Sequence, residues 1–107
     1  MIRLDHGLRR ARPLLLYEAD RLERLARDLR RIADGTGPTS EEVAAAPVID
    51  AWAWAERTLP CLVGRGSGHP RLGSGSVLTT EVWAADQTAG WVRTLGRWYV
   101  LGVSAAR

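Results

Sequence analysis

The apolar pattern of the chain changes period once, at Leu59-Pro60, and that change restricts the fold more than any other feature. Before it, apolar residues recur at helical spacing. Leu15, Leu22, Leu25, Leu29 and Ile32 fall on one stripe, with Ala19, Ala26 and Ala33 beside it. After it, glycine stands at 64, 66, 68, 73, 75, 90, 96 and 102. The runs between these glycines are β-rich: residues 61–63, 77–84, 91–95 and 97–103. Two periods in two separate stretches read as α+β, helices first and an antiparallel meander second. The 107 residues suffice for a single domain spanning 1–107, with one modest core.

Local signals set the expected boundaries. Pro13 suits a first helical turn and Gly35 a C-terminal cap, which gives a helix over about 14–34 and leaves 1–13 as a frayed start. Asp20/Arg24, Glu23/Arg27 and Arg30/Asp34 are spaced for ion pairs along it. Its stripe is expected to pack on the rest of the domain. The 3-4-3 spacing of Leu22, Leu25, Leu29 and Ile32 also allows a weak dimer through this helix, so monomer and weak dimer are both open. Thr39-Ser40-Glu41-Glu42 matches a capping box. A short helix is expected to run to Ala46, where Pro47 breaks it or starts another turn; Asp50 through Arg57 can continue as helix, which gives a helical stretch over about 40–57 with Val48, Ile49, Trp52 and Ala55 inward. The second half, about 61–103, is expected as a four-stranded antiparallel meander or SH3-like barrel.

Charge narrows the partners. Every one of the 15 basic residues is Arg; Lys, Asn and Phe are absent, which is what a GC-rich genome produces. Residues 1–50 hold nine Arg and nine acids, so the net +3 falls in residues 51–107. No run approaches the roughly 20 apolar residues of a membrane span, and Leu14-Leu15-Leu16 is followed at once by acids. The single cysteine, Cys61, allows no intrachain disulfide, in keeping with a cytoplasmic protein. One Cys and two His do not make up a Cys/His zinc site.

Catalytic constellations are weak. A Cys61/His69 pair lacks a third orienting group. Glu41 and Glu42 are explained by capping, and Glu81 and Asp86 stand apart. Gly64-Arg65-Gly66-Ser67-Gly68 lacks the Gly-Lys-Ser/Thr ending of a phosphate loop and precedes His-Pro rather than a helix. The chain is therefore expected to be non-enzymatic and to need no cofactor. Aromatics beside arginine offer another chemistry. Trp83, Trp91, Trp98 and Tyr99 lie near Arg93 and Arg97, as in small folds that stack the bases of single strands.

The second half also carries a recognisable run. Gly68-His69-Pro70-Arg71-Leu72, Gly75, Thr79-Thr80, Trp83, Gly90-Trp91, Arg93-Thr94, Arg97, Tyr99 and Leu101-Gly102 resemble a family of short alphaproteobacterial proteins of unknown function. Its members share a GHP…G…TS…GW-RT-SRWY-LG run after two helices. The segments Leu25–Leu29, Gly35, Pro38-Thr39 and Ala46-Pro47 are similar too, so the resemblance covers about residues 20–103. Thr80 and Gly96 stand where the family has Ser. The resemblance implies membership and brings no catalytic residue.

The polar members of the run, His69, Arg71, Arg93, Arg97 and Tyr99, form the candidate binding surface. The expected function is a small non-catalytic binding protein acting through its basic strand half. A protein is the partner expected first, and RNA or single-stranded DNA is the alternative. By analogy of size and style, it resembles accessory or inhibitory proteins of phages and mobile elements, such as anti-CRISPR proteins.

Overall fold

The structure, a computed structural model, describes residues 1–69 and 73–105, with the backbone alone for 68, 69, 73 and 74. The elements in chain order are β1 (Ile2–Arg3), α1 (Leu8–Ala33), α2 (Ser40–Ala45), β2 (Val63–His69), β3 (Gly73–Leu78), β4 (Val82–Asp86), β5 (Trp91–Thr94) and β6 (Trp98–Val100). Contacts divide the chain into two compact units. One is Met1–Pro13 together with Arg57–Arg107; the other is Leu14–Glu56.

The first unit holds both sheets. Its larger sheet has the order β1-β4-β5-β6, and β2-β3 forms a separate hairpin. The fold class is α+β as expected, but no closed barrel forms among the described residues. The β2-β3 hairpin bonds to no strand of the larger sheet, and the β4 edge is taken by β1, paired parallel through Ile2↔Ala84 and Arg3↔Ala85. The start of the chain is thus built in rather than frayed. Leu4 N–H donates to the Ala85 carbonyl at 2.8 Å, and Gln87 N–H donates to Asp5 Oδ1 at 2.9 Å. The Arg3 guanidinium bonds both Asp5 and Gln87, and it holds the Asp5 carboxyl below the usual carboxylate range, with the Gln87 N–H adding to this.

The core lies on one side of this sheet. Val82, Ala85 and Val92 are buried, with Leu62, Tyr99 and Leu101 packed against them. The segment before β2 is tied to this side by Val82 N–H to the Pro60 carbonyl and Thr79 N–H to the Leu62 carbonyl, both 2.8 Å. In the hairpin, Gly64-Arg65-Gly66-Ser67-Gly68 lies within strand β2 and pairs with β3. A Cβ on Gly66 would collide with the Val77 side chain, so this glycine is required by a close approach rather than by a ligand.

The second unit contains most of α1, a turn and α2. The helix starts at Leu8 rather than 14, so Pro13 lies inside it, and the Arg9 carbonyl loses its donor there. Its ion pairs are also not the expected i,i+4 set. Arg21 pairs Glu18 at 2.7 Å and lies over the Tyr17 ring, while Arg31 pairs Asp28 at 3.3 Å. Arg31 then reaches across the turn to both Glu42 oxygens and the Gly37 carbonyl. The capping box forms as read: Glu42 N–H donates to Thr39 Oγ1, and Thr39 N–H to the Glu42 carboxylate.

The helix expected over 40–57 ends at Ala45. Pro47 pushes Ala46 to extended geometry (ψ 143°), and Ala51 takes a positive φ of 51°. Trp52 and Trp54, read as helical, instead sit in irregular chain, both exposed, with rings edge to face at 6.1 Å. Leu25, Leu29 and Ile32 of the stripe are also exposed. No residue of Leu14–Glu56 is buried. No described helix is long and apolar enough to cross a membrane.

Candidate functional site

Register decides which side chains meet on the larger sheet. Leu101 N–H bonds the Gly90 carbonyl and Thr94 N–H the Arg97 carbonyl, both at 2.9 Å. Val92↔Tyr99 lies midway between these bonded pairs. The alternate pairs, Trp91↔Val100 and Arg93↔Trp98, are therefore the non-bonded ones, whose side chains approach most closely. Period two then separates two faces. Ala85, Val92, Thr94 and Tyr99 lie on the core side, while Ala84, Asp86, Trp91, Arg93, Trp98 and Val100 lie on the other.

That outer face carries an aromatic cluster. The Trp91 and Trp98 rings meet edge to face at 5.4 Å and 78°. The Arg93 guanidinium carbon stands 5.6 Å from the centre of the Trp98 ring. Trp98 is 63% exposed and Val100 89% exposed. Among the described residues no carboxylate lies within ion-pair distance of Arg93. Asp86, on the same face, accepts from Ala89 N–H at 2.9 Å and is occupied in its own turn. The cluster thus offers an open ring face and a guanidinium whose donors are not committed to a carboxylate.

The turn before β6 is held by hydroxyls. Thr94 is buried, and its Oγ1 accepts from Gly96 N–H (3.2 Å) and Arg97 N–H (3.1 Å) while donating to the Arg97 carbonyl (3.1 Å). Thr80 Oγ1 also accepts from Gly96 N–H at 3.0 Å. Thr79 Oγ1 accepts from Leu62 N–H at 2.9 Å and donates to the Thr80 carbonyl at 2.7 Å. These threonines of the recognised run are fasteners of the sheet. Trp83 sits at the irregularity between Val82 and Ala84, its indole N–H buried with no acceptor among the described residues.

The five candidate residues are not gathered at one place. Arg93 is on the outer face. Tyr99 is on the opposite face, packed beside the core. Arg97 closes the β5–β6 turn through its backbone. His69 ends β2, and its side chain lies outside the described residues, as does the whole of Arg71. The structure brings Trp98 to Arg93 and Trp91 to Trp98 instead, with Val100 opposite Trp91. Trp98 and Val100 stood outside the candidate list because alternation along one strand says nothing about the register with its neighbour.

Cys61 is a free, exposed thiol. Glu42 is held at about 2 by the Arg31 guanidinium first and by the Thr39 N–H and hydroxyl next, and Arg31 is raised in return. No group of three or more His, Cys, Asp or Glu suited to a metal occurs among the described residues.

Charge follows the compact units. Met1–Pro13 with Arg57–Arg107 holds ten Arg against Asp5, Glu81 and Asp86, net +7. Leu14–Glu56 holds five Arg against nine acids, net −4, which restores the overall +3. The aromatic cluster lies in the +7 unit.

A family model described as "Family of unknown function (DUF6634)" matches residues 17–106. No curated protein and no solved structure matches the chain.

Proposed function

The chain belongs to this family of unknown function, and from the geometry of its sheet we propose that it is a non-catalytic binding protein that takes single-stranded RNA or DNA on its outer sheet face. The observation that carries this reading is the Trp91–Arg93–Trp98 cluster, with Trp98 exposed and Trp91 and Arg93 half-buried beside it, on a sheet in a unit of net charge +7. Base rings stack on an open indole irrespective of sequence, and the neighbouring guanidinium adds both stacking and a phosphate contact. The charge of the unit supplies the long-range attraction.

A protein partner is the second reading, favoured by Val100. Its 89% exposure beside Trp98 gives the face an apolar margin that a base does not need and a protein anchor does. In this reading the chain is an accessory or inhibitory protein of a phage or mobile element, of the anti-CRISPR kind. The support for that finer statement is its size and arginine-rich composition.

One titration separates the two. Short oligonucleotides are added to the protein in low salt while Trp fluorescence is followed. Binding to single strands is expected to quench the signal, and Trp98→Ala to weaken affinity about 5- to 150-fold, the equivalent of one lost stack. No quenching by RNA or DNA removes the nucleic-acid reading. A photo-crosslinker at Val100 then tests the protein reading, which fails if no protein adduct forms in the native host.

A further inference from the structure

The basic unit contains a second arginine cluster that neither the fold nor the aromatic face uses. Arg9, Arg10 and Arg12 occupy the first turns of α1, where the buried Ala11 marks the inward side. At 100° per residue Arg9 lies nearly opposite Ala11, with Arg12 about 60° to one side of it and Arg10 about 100° to the other, and all three are exposed. None has a carboxylate within ion-pair distance among the described residues, and the first turn of α1 contains no acid. Of the described arginines of this unit, only Arg3 has such a partner, Asp5. Three adjacent exposed cations with no ion-pair partner among the described residues spread around the outward side of this turn as a basic ridge for an external anion.

The ridge belongs to the same body as the aromatic face. Gly7 N–H bonds the Leu4 carbonyl at 2.9 Å, so α1 begins one tight turn after β1. β1 is the edge strand opposite β6, three inter-strand steps or about 14 Å from Trp98. A bound strand of about 4–16 nucleotides is long enough to cover that width.

We propose that Arg9, Arg10 and Arg12 are the phosphate-binding part of the single-strand site, gripping the backbone of a strand whose bases stack at Trp98. The inference rests on the nucleic-acid reading above and adds residues to its site.

The experiment measures the anisotropy of a labelled oligonucleotide of about 12 nucleotides with the full-length chain, between about 50 and about 200 mM salt. Each phosphate neutralised on a single strand adds about 0.7 to the slope of log affinity against log salt, so Arg9→Gln/Arg10→Gln/Arg12→Gln is expected to flatten it by about 2. The control, Arg24→Gln/Arg27→Gln/Arg30→Gln, removes the same charge from the acidic unit and is expected to leave the slope unchanged. Circular dichroism confirms that both variants fold. Binding that still depends on Trp98, with a slope unchanged in the first variant or equally flattened in both, overturns the ridge and keeps the stacking reading. Displacement of the oligonucleotide by polyglutamate at equal charge also overturns it, because the ridge is then a site for acidic protein. No binding by the wild-type chain removes reading and ridge together.

Discussion

Thr94→Val tests what holds Trp98 opposite Arg93. Valine fills the same volume as Thr94, which is 1% exposed, and deletes all three hydrogen bonds of its hydroxyl. The three losses are unequal. Gly96 N–H keeps Thr80 Oγ1 at 3.0 Å, and the Arg97 carbonyl keeps the Thr94 N–H at 2.9 Å. Arg97 N–H has no second acceptor among the described residues, so a part-buried donor is stranded at a cost of about 1–3 kcal/mol. For a small domain, about 2 kcal/mol lowers the melting temperature by roughly 8–16 °C. Thr94→Ser separates this from packing: it keeps the three bonds and loses one buried methyl, about 0.8 kcal/mol. Thermal unfolding followed by Trp fluorescence should therefore rank wild type above Ser and Ser above Val. A Val variant within about 0.5 kcal/mol of wild type, or a Ser variant as unstable as Val, refutes the hydroxyl as the fastener.

Three other outcomes follow from the geometry. Gly66→Ala should destabilise by about 1–3 kcal/mol because its Cβ meets Val77, whereas Gly64→Ala, with open space around it, should stay within about 0.5 kcal/mol; chemical denaturation of both checks the contrast. The Glu42 carboxylate, held at about 2 against an ordinary 4.5, contributes stability that is complete above about 4.5 and lost as pH falls toward 2. Carbon-detected NMR of the Glu42 carboxyl should show that midpoint, and Arg31→Gln should return it toward 4.5. Cys61, exposed and unpaired, should react fully with a maleimide in the folded state, and a protected thiol would contradict the open segment before β2.

Much of this architecture was legible because its signals are local. The Thr39/Glu42 capping box needs four residues and formed as read. The α+β class needs only a change of period, and that change at Leu59-Pro60 separates helices from most strands. What escaped depends on distant pairing. Ile2-Arg3 is too short to show alternation, so nothing local announces that it closes the edge of β4. Pro13 reads equally well as the start of a helix or as an irregularity inside one. Alternation along β6 puts Tyr99 on one face with Arg97 and Leu101, but only the register Val92↔Tyr99 turns that face toward the core and sends Trp98 to Arg93.

The charge division is the largest consequence of that one hidden pairing. By sequence halves, the first 50 residues are neutral, and their arginines read as salt-bridge partners along a helix. Pairing β1 with β4 moves Arg3, Arg9, Arg10 and Arg12 out of that balanced stretch and into the strand unit. The acids that seemed to balance them stay behind in Leu14–Glu56, where Glu18, Asp28 and Glu42 are engaged by Arg21 and Arg31. A neutral half and a mildly basic half thus become an acidic unit and one of net +7. At an ionic strength where charges are screened beyond about 8 Å, local density rather than overall net charge governs binding to phosphate. The modest +3 of the whole chain is therefore a poor guide to what it could bind. The better guide is the unit in which exposed arginines and the open face of Trp98 occur together.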